Sequence, residues 1–153
     1  MSALRYAYGS SARKDFSRFL HASFDPQVVT VKVSDRTVSV VDADMFRSHL
    51  ARTVPADVQV FEEDGGIAIV LPGRPFAVET SSLAESLEEM IDVLREYAAD
   101  WQARLHSSRN HRDNWALVQL IELSSDVELT RWLTAEPTKR ATMLGDSGQS
   151  APV

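Results

Sequence analysis

A chain of 153 residues, 44% hydrophobic and 25% charged, has room for one ordinary domain or two very small ones and is too apolar for wholesale disorder. Its longest apolar runs are four or five residues, far short of the ~20 of a membrane span. The first residues lack the apolar core of a signal peptide, and the absence of cysteine excludes disulfides, thiolate metal sites and a cysteine nucleophile. A cytoplasmic location is the expectation. The net charge of −6 is unevenly spread: residues 1–53 carry eight basic and five acidic side chains, residues 54–107 three and eleven, residues 108–153 five and six. A basic head on an acidic body is the asymmetry expected when one part meets a polyanion, with chance scatter between short segments as the plainer alternative.

In chain order, Leu4, Tyr6 and Tyr8 alternate as a short strand. Ser10 and Ser11 can cap a helix whose apolar face is Ala12, Phe16, Phe19, Leu20 and Phe24, and Asp25-Pro26 ends it. Gln27 to Val33 reads as a strand, residues 34–37 as a turn, and Val38 to Val41 as the returning strand. Asp42 can cap a helix in which Met45, Phe46, His49 and Leu50 share a face, closing near Arg52 before Pro55. A second hairpin follows: Val58 to Phe61, a turn over residues 62–66, and Ile67 to Leu71, with Phe76 to Val78 as a third strand. Ser82 and Glu85 have capping-box spacing. They open a long helix striped by Leu83, Leu87, Met90, Ile91, Leu94, Ala98, Trp101 and Leu105. After a polar connection over residues 106–112, Asn114 to Leu123 is helical by pattern. Ser125 and Glu128 form a second box before a short helix through Leu133. Residues 135–153 lack periodicity and are expected to be a disordered tail.

Two segments resemble known families. Ser11-Ala12-Arg13, Phe16-Ser17-Arg18-Phe19-Leu20, Val28-Val29-Thr30-Val31-Lys32 and the run Val38 to Phe46 follow the pattern of the Phd/YefM antitoxins. On these motifs residues 4–53 resemble that family's N-terminal module, although Ser34-Asp35-Arg36-Thr37 stands where the family commonly has Arg-Gly. Glu63-Asp64-Gly65-Gly66, Leu71-Pro72-Gly73 and the run Ser82 to Leu87 resemble the HicB-like antitoxin fold, a partial ribonuclease-H-like domain. Both resemblances imply an antitoxin that binds a cognate protein toxin and represses its own operon as a DNA-binding homodimer. With toxin, a higher oligomer is implied.

Enzymatic signatures are missing. There is no phosphate loop, no nucleophile elbow, and the four histidines at 21, 49, 106 and 111 lack zinc spacing. No enzyme activity, metal or cofactor is expected. Electrostatics carry more. Ser10, Ser11, Arg13 and Lys14 lie at a helix start, where free amides and the helix dipole favour a phosphate. Arg18 is one turn on, Arg5 is on the strand before, and Lys32 and Arg36 are on the hairpin. This is where the resembled family meets DNA, and a solvated basic face is the alternative for each residue.

The expected fold is α+β: a sheet-and-helix dimerisation module (1–54), a HicB-like hairpin and long helix (55–106), C-terminal helices (107–134) and the tail (135–153). Leu94, Trp101, Leu105, Trp115, Leu120, Ile121 and Trp132 offer more apolar area than three helices can bury among themselves, so toxin binding is expected there. The competing expectation is a non-enzymatic interaction or scaffold protein without DNA binding.

Overall fold

The computed structural model describes residues 4–6, 13–24 and 28–136. Its elements are β1 (Leu4–Tyr6), α1 (Phe16–Ala22), β2 (Val29–Val33), β3 (Arg36–Val40) and α2 (Ala43–Thr53), then β4 (Gln59–Glu63), β5 (Gly66–Leu71) and β6 (Phe76–Thr80). Helices α3 (Leu83–Ala103), α4 (Trp115–Leu123) and α5 (Asp126–Leu133) follow, with two 3₁₀ turns between α3 and α4. The class is α+β. The predicted tail from residue 137, the capping serines 10 and 11 and the Asp25-Pro26 break lie outside the described residues.

The first sheet has the order β1-β2-β3, with β1 parallel to β2 and β2 antiparallel to β3. A parallel pair needs a crossover, and the connection that carries α1 supplies it. Pairing sets Val29 opposite Val40, Val31 opposite Val38 and Val33 opposite Arg36, so these residues share one face, while Thr30, Lys32, Thr37 and Ser39 share the other. Helix α1 lays Phe19 and Ala22, one turn apart, on the valine face. Phe19, Ala22, Val29 and Val31 are buried together with Val40 against them.

The second sheet is the antiparallel meander β4-β5-β6. Asp64 and Gly65 both have positive φ (49° and 82°), the conformation a two-residue hairpin demands. Ile69, Leu71, Phe76 and Val78 point to one face and are buried under α3. Ser82 caps α3 by accepting from the Glu85 amide at 3.3 Å. The reciprocal half of the box is missing, because the Glu85 carboxylate takes the Ser81 hydroxyl at 2.5 Å instead. The second box is complete: Ser125 caps the Glu128 amide, and Glu128 accepts from the Ser125 amide.

Helix α2 follows the first module in sequence yet packs on the second unit, against α4. Its inward stripe is Phe46, Leu50, Ala51 and Val54. Met45 and His49, expected on that face, are exposed, because the buried arc lies one residue further round the helix. Two contacts hold α2 to α5. The Trp132 indole donates to the Val54 carbonyl at 2.7 Å, and Arg47 pairs with Glu128 at 3.1 Å. Eighteen buried residues from α2 to α5 make this second core.

Candidate functional site

The structure divides the predicted basic cluster. Arg13, Lys14 and Arg18 are exposed at and just before α1, with Arg18 3.7 Å from Asp15. Arg36 is exposed at the start of β3, on the sheet face that carries α1. Lys32 is exposed on the opposite face beside Thr30 and Thr37. Arg5 is in register with Thr30, and Ser10 and Ser11 lie outside the described residues. Four of the eight predicted residues, at 13, 14, 18 and 36, therefore belong to the α1 side of the module. Strand alternation puts Lys32 elsewhere.

Helix α1 also carries an apolar stripe that its own sheet does not cover. Phe16, Leu20 and Phe24 are spaced by four and remain exposed, Phe16 at 58% and Phe24 at 67%. Val33 and Val38, on the sheet face beneath α1, are half-exposed as well.

The predicted toxin-binding residues are placed otherwise than expected. Leu94, Trp101, Leu120, Ile121 and Trp132 are buried in the second core, and Leu105 packs against it. The area they offer is covered by α2 and the second sheet. Two indoles are also satisfied internally, Trp101 donating to the His111 carbonyl at 2.7 Å and Trp132 to that of Val54. Only Trp115 stays on the surface, 50% exposed with one side against Phe46.

Polar groups missed at the sequence level hold this unit together. The Arg95 guanidinium on α3 donates to the Ile121 carbonyl (2.6 Å), the Ser124 carbonyl (2.7 Å) and the Asp126 carboxylate (2.7 Å). It thus ties the end of α4 and the start of α5 to α3. The Tyr97 hydroxyl accepts from Asn114 at 2.7 Å and lies 3.1 Å from His111 Nδ1. A lone arginine in an acidic helix and an aromatic in an apolar stripe carry no such signal in sequence.

Hydrogen bonding by the Ser125 backbone amide, outweighing some desolvation, holds the Glu128 carboxyl below its usual range; the Ser125 hydroxyl and Arg47 help. Burial lowers the Arg74 guanidinium from its ordinary value against the pull of Asp57, and its Nη1 donates to the Pro55 carbonyl at 3.4 Å. No group of three metal-ligating side chains occurs among the described residues, and no helix there is long and apolar enough to cross a membrane.

No protein-family model matches the chain, and no curated protein matches it in sequence. In fold it is similar to a crystal structure from Syntrophomonas wolfei subsp. wolfei. That protein is provisionally assigned as the antitoxin part of a toxin/antitoxin system. The TM-score is 0.72 at 18% identity, covering 89% of this chain and 99% of that one. Nearly the whole α+β arrangement is shared.

Proposed function

We propose that this chain is the antitoxin of a toxin–antitoxin pair: it binds and neutralises a protein toxin and, as a homodimer, represses its own operon. The observation that carries the reading is the fold shared end to end with the Syntrophomonas wolfei protein, whose assignment is antitoxin. The unequal modules support the division of labour. The first module presents Arg13, Lys14, Arg18 and Arg36 to solvent, the residue types that neutralise phosphates. Its uncovered stripe Phe16–Leu20–Phe24 is too large for so small a unit to leave in water, and a second copy laid against it would bring two basic clusters together.

Two experiments test this. Co-expression with the protein encoded by the adjacent reading frame is expected to restore growth. The full chain is expected to retard DNA from upstream of its own gene in a salt-dependent way. Growth arrest that the chain does not relieve removes the antitoxin reading. The competing reading is an interaction protein without DNA binding, and the placement of Lys32 away from Arg36 favours it. An unshifted upstream fragment at low salt selects that reading.

A further inference from the structure

The second sheet ends in a strand that is uncovered on three sides. Among the described residues, β4 is an edge strand paired with β5 alone. Helix α3 lies over β5 and β6, so Val60, on the helix side of β4, remains 49% exposed. Phe61, on the outer side, is 51% exposed. Large apolar side chains exposed on both faces of one edge strand share a single missing neighbour, because an added strand contributes side chains to both faces. The hairpin geometry fixes which backbone groups would receive it. In a two-residue hairpin the flanking pair, here Glu63 and Gly66, exchanges hydrogen bonds. Alternation then turns the N–H and C=O groups of Val60 and Glu62 to the free edge.

Charge says what kind of strand fits. Glu62 is exposed on the Val60 face. On the Phe61 face, Asp64 and Glu79 border a hollow also lined by Phe61, Gly66 and Ala68. Both faces beside the edge are thus acidic, and among residues 54–107 eleven acidic side chains oppose three basic ones. A second copy docked edge to edge would bring this acidic surface against its own image, so like charges converge.

We infer that β4 is a docking edge for a cationic, strand-forming segment of a partner protein. The segment would pair with the Val60 and Glu62 backbone, cover Val60 and Phe61, and set basic side chains beside Glu62 and Asp64. Resting on the antitoxin reading, that partner is the toxin.

The test needs no toxin, so the two claims fail separately. The full chain is titrated with a synthetic peptide of about eight residues alternating valine and lysine. Amide hydrogen exchange is followed by NMR, and a valine–glutamate peptide of the same pattern is the control. The lysine peptide is expected to slow exchange at Val60 and Glu62 while leaving Phe61 nearly unchanged, and the glutamate peptide to do neither. Glu62→Lys with Asp64→Asn is expected to weaken binding about tenfold. Asp64→Asn alone, which suits the positive φ of that turn position, is expected to weaken it about threefold even if the double variant folds poorly. Absence of slowing at millimolar peptide overturns the inference, as does equal binding of the two peptides. Slowing at Val60 and Glu62 that rises with protein concentration alone also overturns it, naming a second copy as the occupant. A chain that protects β4 but relieves no toxicity keeps this site and loses the antitoxin reading.

Discussion

The two cores of this molecule treat their aromatic residues in opposite ways. The second buries Trp101 and Trp132 among eighteen residues drawn from six elements and one connection, and gives each indole N–H a carbonyl. The first buries four residues and leaves Phe16, Leu20 and Phe24 in water along one side of a seven-residue helix. A high local density of aromatics in sequence therefore does not mark the surface that lacks a partner. What marks it is the ratio of apolar side chains to the elements available to cover them. That ratio is satisfied in the second unit, because α2 crosses over to it, and unsatisfied in the first.

The largest effects should come from the complete core. Leu94→Ala, at a fully buried position on α3, is expected to cost ~2–5 kcal/mol in urea unfolding. A loss below ~1 kcal/mol would mean that α3 is not closed over by the second sheet, α4 and α5. Next, Trp132→Phe keeps most of the packing but leaves the Val54 carbonyl without its donor. It should cost ~1–3 kcal/mol in the same assay. In the incomplete module the effects should appear in binding instead. Replacing Arg13 and Lys14 together with alanine is expected to leave the melting curve in place and to reduce the slope of log K against log salt by about two for upstream DNA. An unchanged slope would leave these as solvated residues.

The smallest effect concerns pH. Because the Glu128 carboxyl titrates below its unfolded value, its contribution is fully present above that unfolded value. It disappears as pH falls through the lower, folded one. Glu128→Gln should therefore lower stability at neutral pH and converge with the parent in acid, giving a flatter acid limb that melting between pH 2 and 7 would show. A loss larger at acid than at neutral pH would contradict the sign.

Local signals in the sequence located nearly every element. Asp42, Ser82 and Ser125 cap their helices, although Glu85 does not complete the Ser82 box, and Asp64-Gly65 makes its turn. Boundaries moved where sheet pairing overrode pattern. β3 begins at Arg36 rather than Val38, because Ser34-Asp35 closes a tighter turn than four residues would. Which core a helix joins was not legible, since Phe46 and Leu50 specify an apolar stripe on α2 but not its partner. For the same reason the tryptophans looked uncovered. The Arg95 staple and the β4 edge were invisible too, because both depend on groups distant in sequence. The basic residues of the first module were legible as chemistry, but strand parity in the folded hairpin separated Lys32 from Arg36.

The central proposal is that the first module is completed by a second copy, while the buried core of the second unit closes without one. Sedimentation velocity of the full chain at micromolar concentration, compared with the variant Phe16→Glu with Leu20→Glu, tests it most directly. The account predicts a dimer for the parent and a monomer for the variant, with thermal unfolding of the second core unchanged. A parent chain that sediments as a monomer, or a variant that still dimerises, would contradict it.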